Sequence, residues 1–272
     1  MIVLMKHLSV ILSALLFFGS RSFATVTAPT CSTTYRTAVN ESEPLYYRDD
    51  QHNKYVGISS DVIDELAKRT GCNFEAQQIN RSKLYQEMSS FRVDLALVTI
   101  RNNRYDKVGK FLPITSIQRE VAGPKELVHV HSSIQDFINN IRVKFIILPG
   151  APFFFTPEES ARLEKEGRFM TTTSLQEAYA LLVRSKNTVI MQTTFVQDYF
   201  FAKMKLDRNF ARIPDRKTTF EIGAYYIVKK SNEQNLPVIE KTLKQIASDG
   251  TWDRIIRKHT KLAENSELLG KN

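Results

Sequence analysis

Residues 60–98 read SDVIDELAKRTGCNFEAQQINRSKLYQEMSSFRVDLALV. Between Ser60 and Thr70, Val62, Ile63, Leu66 and Ala67 recur on one helical face. Asp64, Glu65, Lys68 and Arg69 fall on the other, and Gly71 stops the pattern. Phe74 to Ile79 follows as a strand, and Ser82 to Ser90 as a helix carrying Leu84, Tyr85 and Met88. Val93 to Val98 is a buried strand. With the strand-like run Tyr35 to Val39 in front, the order is βαβαβ, which demands a parallel sheet with crossover helices.

A second series of the same kind begins at Val143 to Leu148. It continues through a helix at Pro157 to Glu166, a strand at Arg168 to Thr172 and a helix at Leu175 to Ser185, then a strand at Thr188 to Met191 and a helix at Phe195 to Met204. Two α/β units predict two lobes, with a cleft at the carboxyl ends of their strands. The tail has a strand at Ile222 to Val228 and helical patterns from Leu236 to Lys258, broken at Asp249-Gly250, too little for a third domain. The economical layout returns it to the first lobe. Residues 25–118 and 214–272 then make one lobe and 119–213 the other. They are joined by short crossings near Ser116 to Val121 and Ala211 to Pro214 that act as a hinge.

The chain has 272 residues, 42% hydrophobic and 25% charged, with 10 Gly and 9 Pro, which excludes disordered, collagen-like and low-complexity classes. The net charge is +9, but its lysines and arginines are interleaved with apolar residues rather than gathered, so no nucleic-acid partner is expected. Residues 1–24 have Lys6 and His7, an apolar run from Leu8 to Phe18 and a small-x-small ending Ser22-Phe23-Ala24. That is the pattern of a cleavable signal peptide, too short to span a bilayer, and it places the mature chain in the periplasm, beginning near Thr25. Either Met1 or Met5 could start it.

The two cysteines, Cys31 and Cys72, lie in the exported part, each just before a strand. If those strands are parallel neighbours, the thiols share one end of the sheet and an oxidising compartment favours a disulfide, worth roughly 4 kcal/mol; two free thiols are the alternative. Ala28-Pro29-Thr30 lacks the residues of a lipid-anchor site before Cys31.

Five segments in order resemble the extracytoplasmic solute-binding proteins of family 3, which serve polar amino-acid ABC importers. They are Glu43-Pro44-Leu45-Tyr46-Tyr47, then Tyr55-Val56-Gly57-Ile58-Ser59-Ser60-Asp61-Val62, then Val93-Asp94-Leu95 before Thr99 and Arg104. Ile222-Gly223-Ala224-Tyr225 with Lys229 and Ser248-Asp249-Gly250-Thr251-Trp252-Asp253-Arg254-Ile255 complete them. The resemblance covers nearly all of the mature chain. It implies an α/β, two-lobed periplasmic binding protein fold, each lobe a mostly parallel sheet flanked by helices. It also implies a small-molecule ligand and an ABC permease as partner; a monomer is expected, and since no cofactor motif appears, no cofactor is expected.

By resemblance, Arg104 is the arginine that grips a ligand carboxylate, a role suited to a guanidinium's two parallel hydrogen bonds. Thr99 adds a hydroxyl, and Arg81 stands where relatives place a side chain that covers the ligand. Three departures redirect the ligand class. Gln192 replaces the aspartate that holds an amino acid's ammonium, and a neutral amide cannot match that bond. Ser42 replaces a stacking aromatic, although Tyr46 and Tyr47 lie nearby. The anion loop reads Pro149-Gly150-Ala151-Pro152, where Gly150 keeps an N–H to donate and Pro152 has none. A cation-rich pocket short of an ammonium site predicts a carboxylate-bearing or otherwise anionic solute.

Other classes have weaker support. A sensing module on this fold is indistinguishable by sequence, since the partner decides. A cyclohexadienyl dehydratase-like enzyme would need a general acid, for which Glu43 and Glu221 are candidates by neighbourhood only. His129-Val130-His131 would place two imidazoles on one face of a strand, with no further ligand at metal spacing, so no metal is expected. Phe153-Phe154-Phe155 reads as core, or as a hydrophobic lid or partner surface.

Overall fold

A computed structural model describes residues 31, 33–149 and 154–260. Residues 1–24, where the sequence predicts a leader, and Gly150 lie outside them. In the first lobe, β1 (Thr34–Val39), the β2 (Tyr47–Asp49) and β3 (Lys54–Val56) hairpin, α1 (Ile58–Thr70), β4 (Asn73–Gln78), α2 (Arg81–Ser89) and β5 (Leu95–Ile100) follow one another. β6 (Lys110–Pro124) leads out to α3 (Lys125–Val128), α4 (Ile134–Asn139), β7 (Lys144–Ile147), α5 (Pro157–Lys165), β8 (Phe169–Thr171), α6 (Leu175–Arg184), β9 (Thr188–Thr193) and α7 (Thr194–Met204). β10 (Phe210–Tyr226) returns to α8 (Leu236–Ser248) and α9 (Thr251–Thr260).

The strands form one sheet in the order β4-β1-β5-β10-β6-β9-β7-β8. β1 pairs parallel with β4 and β5, and β7 with β8 and β9, as the βαβ pattern requires. The stretches expected to cross, Ser116 to Val121 and Ala211 to Pro214, belong to long strands. They lie inside β6 and β10, which run antiparallel from one lobe to the other and lose register between Pro214 and Thr219. β10 therefore starts at Phe210, well before the Ile222 read from the sequence, because its polar, alternating first half pairs only with β6. At the break, Arg119 Nε donates to Asp215 Oδ2 at 2.8 Å, tying the two strands.

Two motif glycines are explained by crowding. A Cβ on Gly223 of β10 would come within 2.1 Å of the Leu112 carbonyl oxygen on β6. Gly57, at φ 128, would put one 2.5 Å from the Leu45 carbonyl, so only glycine lets the chain enter α1 there. The motif residues Asp94 and Lys229 meet: Asp94 accepts from Arg36 Nε at 2.9 Å and pairs with the Lys229 ammonium, pinning β1, β5 and the end of β10. Cys31 and Cys72 are joined, with Cα atoms 4.6 Å apart, at the end of the β1–β4 pair where parallel strands bring them.

The largest apolar cluster runs through both lobes, from Tyr35, Ile58 and Leu66 to Tyr179, Ile190 and Phe200. Phe154 and Phe155 are buried, in line with the core reading; Phe153 lies outside the described residues. The histidine pair is a correction. His129 and His131 follow the short α3 in a turn instead of standing on a strand, since Pro124 ends β6. The His131 ring stacks on Phe137 at 4.3 Å and its Nδ1 lies 2.7 Å from the Leu127 carbonyl oxygen. Among the described residues no three His, Cys, Asp or Glu side chains group to hold a metal, and no helix is long and apolar enough to cross a membrane.

Candidate functional site

Two adjoining cavities open between the lobes at the carboxyl ends of β1, β4 and β5. They have volumes of ≈ 490 and ≈ 700 Å³ and share Asn40, Arg81, Val98 and Ile100 as walls. Arg81 is the first residue of α2, where the chain leaves β4, so its side chain stands at the junction. Burial lowers the pKa of its guanidinium from the ordinary arginine value. Val98 reaches the junction by an irregular route. Leu97 and Val98 together oppose Ala224 alone, a bulge in β5, and Val98 has φ 50, a left-handed conformation costly for a β-branched residue.

The smaller cavity brings together Ser42, Arg81 and Gln192 of the expected set, with Pro149 beside the undescribed Gly150. Gln192 is 9% exposed, and its amide makes no hydrogen bond to any described residue. Next to it the buried Thr193 hydroxyl also has no partner among the described residues. Thr99 lines the larger cavity with Arg81. Arg104 and Tyr47 line neither. Arg104 is exposed, with its guanidinium 3.9 Å from the centre of the Tyr85 ring. Tyr47 packs against Tyr199 of α7 with ring centroids 6.2 Å apart, beside an ion pair of 2.6 Å between Lys203 and Glu43. That cluster bridges the lobes across one rim of the cleft.

The cations are fewer than the sequence implied. Arg101 lines the larger cavity, but it pairs with Glu221 at 2.8 Å and Asp106 at 3.3 Å. Sequence reading missed Glu41, an exposed carboxylate on the smaller cavity's wall. It also missed Phe195, Val196 and Phe200, by which α7 closes that cavity. α7 is apolar over most of its surface, so its hydrophobicity marks those three as buried but carries no sign that they border a cleft.

The family model for bacterial extracellular solute-binding proteins, family 3, matches residues 35–261. The chain belongs to that family. No curated protein matches it in sequence. Among solved structures, this family 3 protein resembles a protein of Wolinella succinogenes provisionally assigned as the binding component of an ABC transporter and complexed with lysine. That match has 19% identity, a TM-score of 0.68, and covers 85% of this chain and 97% of the other. It also resembles a histidine kinase sensor domain similar to periplasmic binding proteins (15%, 0.65, 84% and 96%). A third is an ancestral amino-acid-binding protein described as a precursor of cyclohexadienyl dehydratase (19%, 0.63, 84% and 95%). At these identities the likeness establishes the two-lobed fold of the family 3 chain and leaves its ligand to the cleft.

Proposed function

We propose that this family 3 protein is exported to the periplasm by its leader and works there as a monomer, its lobes divided near residues 118 and 213. It closes on a small solute bearing a carboxylate or another anionic group, for delivery to an ABC permease. The observation that carries the reading is Arg81, a guanidinium shared by both cavities, facing a second-lobe wall whose polar groups at Gln192 and Thr193 are neutral. The anion takes charge-assisted hydrogen bonds from Arg81, with Thr99 and Ser42 as further polar partners, while Gln192 and Thr193 read a neutral polar group. Arg104 joins only by leaving Tyr85. Binding is preferred to catalysis because both candidate acids are held in ion pairs, Glu43 by Lys203 and Glu221 by Arg101.

The test is a thermal-shift and calorimetric screen of the mature chain against carboxylates with and without an ammonium group. Carboxylates lacking the ammonium are expected to raise the melting temperature, and Arg81→Ala to weaken them by about 10- to 100-fold, the worth of one charge-assisted bond. Arg104→Ala separates a direct anchor from a surface stack. Stronger stabilisation by standard amino acids, or unchanged affinity in Arg81→Ala, overturns the reading. A permease and ATPase encoded alongside would favour import over sensing.

A further inference from the structure

The cleft holds more room than a small polar solute fills, and its two compartments differ in character. The ≈ 490 Å³ compartment is lined mainly by polar surface, including Ser42, Gln192 and Thr193. The ≈ 700 Å³ compartment, between α2, the end of β5 and the first turn of α5, is lined mainly by apolar surface, with Ile79, Leu84, Leu97, Phe155 and Phe220 in its wall.

Its charges make no call for a second ionic group. No carboxylate stands among its described lining residues, so an ammonium would find no partner there. Of its two arginines, Arg81 sits at the junction, and Arg101 is committed to Glu221 and Asp106. Burying a charged arm in such a wall is unfavourable, whereas burying hydrocarbon gains affinity in proportion to the area removed from water.

We propose that the larger compartment is a subsite for an apolar extension of the ligand. The substrate class is then a carboxylate whose acid group sits at Arg81 and whose hydrocarbon or aryl arm runs between the lobes toward Ser160. This rests on the reading that Arg81 holds an anion. It adds that the ligand is bipartite and longer than a free polar amino acid.

The test is titration calorimetry of the mature chain with straight-chain carboxylates from butanoate to decanoate and with 3-phenylpropanoate. Affinity is expected to climb about fourfold per methylene until the compartment is full. Ser160→Phe adds a ring from a half-buried position on α5, away from the core, and is expected to cancel the gain of the long members while leaving butanoate unchanged. Ile79→Phe fills the same space from the opposite wall and serves if the first variant does not fold. Flat affinity along a series whose short members bind overturns the subsite and leaves the Arg81 anion site standing. Failure of every carboxylate, with binding of standard amino acids, overturns the anion reading and the subsite with it.

Discussion

Replacing Asp94 with Asn keeps the side chain's shape and removes its charge, which tests what the contact between Asp94 and Lys229 contributes to the fold. Asp94 is 12% exposed and Lys229 16%, and the carboxylate accepts from the Arg36 backbone N–H at 3.0 Å, from Arg36 Nε at 2.9 Å and from Lys229. Breaking a buried ion pair by removing one partner costs about 3–5 kcal/mol. Here the orphaned cations retain carbonyl acceptors: Lys229 donates to Phe91 at 2.9 Å and Val93 at 3.2 Å, and Arg36 to Phe91 at 2.8 Å. The low end, about 3 kcal/mol, therefore applies, which corresponds to a fall in melting temperature of about 6–12 °C for a chain of this size.

The same carboxylate sets a pH dependence. Burial by itself would raise its pKa, but the hydrogen bonds from Arg36 and Lys229 outweigh that and hold it below the ordinary aspartate value. A depressed folded pKa stabilises at pH above the unfolded value of about 3.9 and loses that stabilisation as pH falls through the folded one. Calorimetric melts of wild type and Asp94→Asn should differ fully at pH 7 and converge below about pH 4. A difference under about 2 °C at pH 7, or one that persists unchanged into acid, refutes the reasoning.

Cys31→Ser with Cys72→Ser opens a loop with a sequence separation of 41, and should cost roughly 4 kcal/mol. The midpoint then falls by about 8–16 °C, and reductant should have the same effect on wild type and none on the variant. Glu41→Gln removes the exposed carboxylate from the smaller cavity's wall. For an anion without an ammonium its affinity should rise about two- to fivefold at low salt and less at high salt, as expected of a screened repulsion, and for an ammonium-bearing solute it should fall.

Much of the fold was legible because hydrophobic period records which face of a segment is buried. α1 and α6 appear within two residues of the expected bounds, and the parallel β1–β4 pairing that brings Cys31 to Cys72 follows from the βαβ order. The candidate cleft was legible only in part. Arg81 at the start of α2, Ser42, Thr99 and Gln192 all line it. Arg104 does not, because Tyr85 on α2 offers its guanidinium a ring to stack on.

By itself, the sequence determined the segments, their α/β alternation, the family and the neutral side chain at position 192. Only the tertiary structure decided that Arg101 is taken by Glu221 from a strand 120 residues away, and that Lys203 reaches across the lobes to Glu43. It also decided that the chain crosses between the lobes within the paired strands β6 and β10. The physical reason is that a local pattern records whether a residue meets water, whereas the partner that satisfies a charge is chosen by chain segments brought together only after folding.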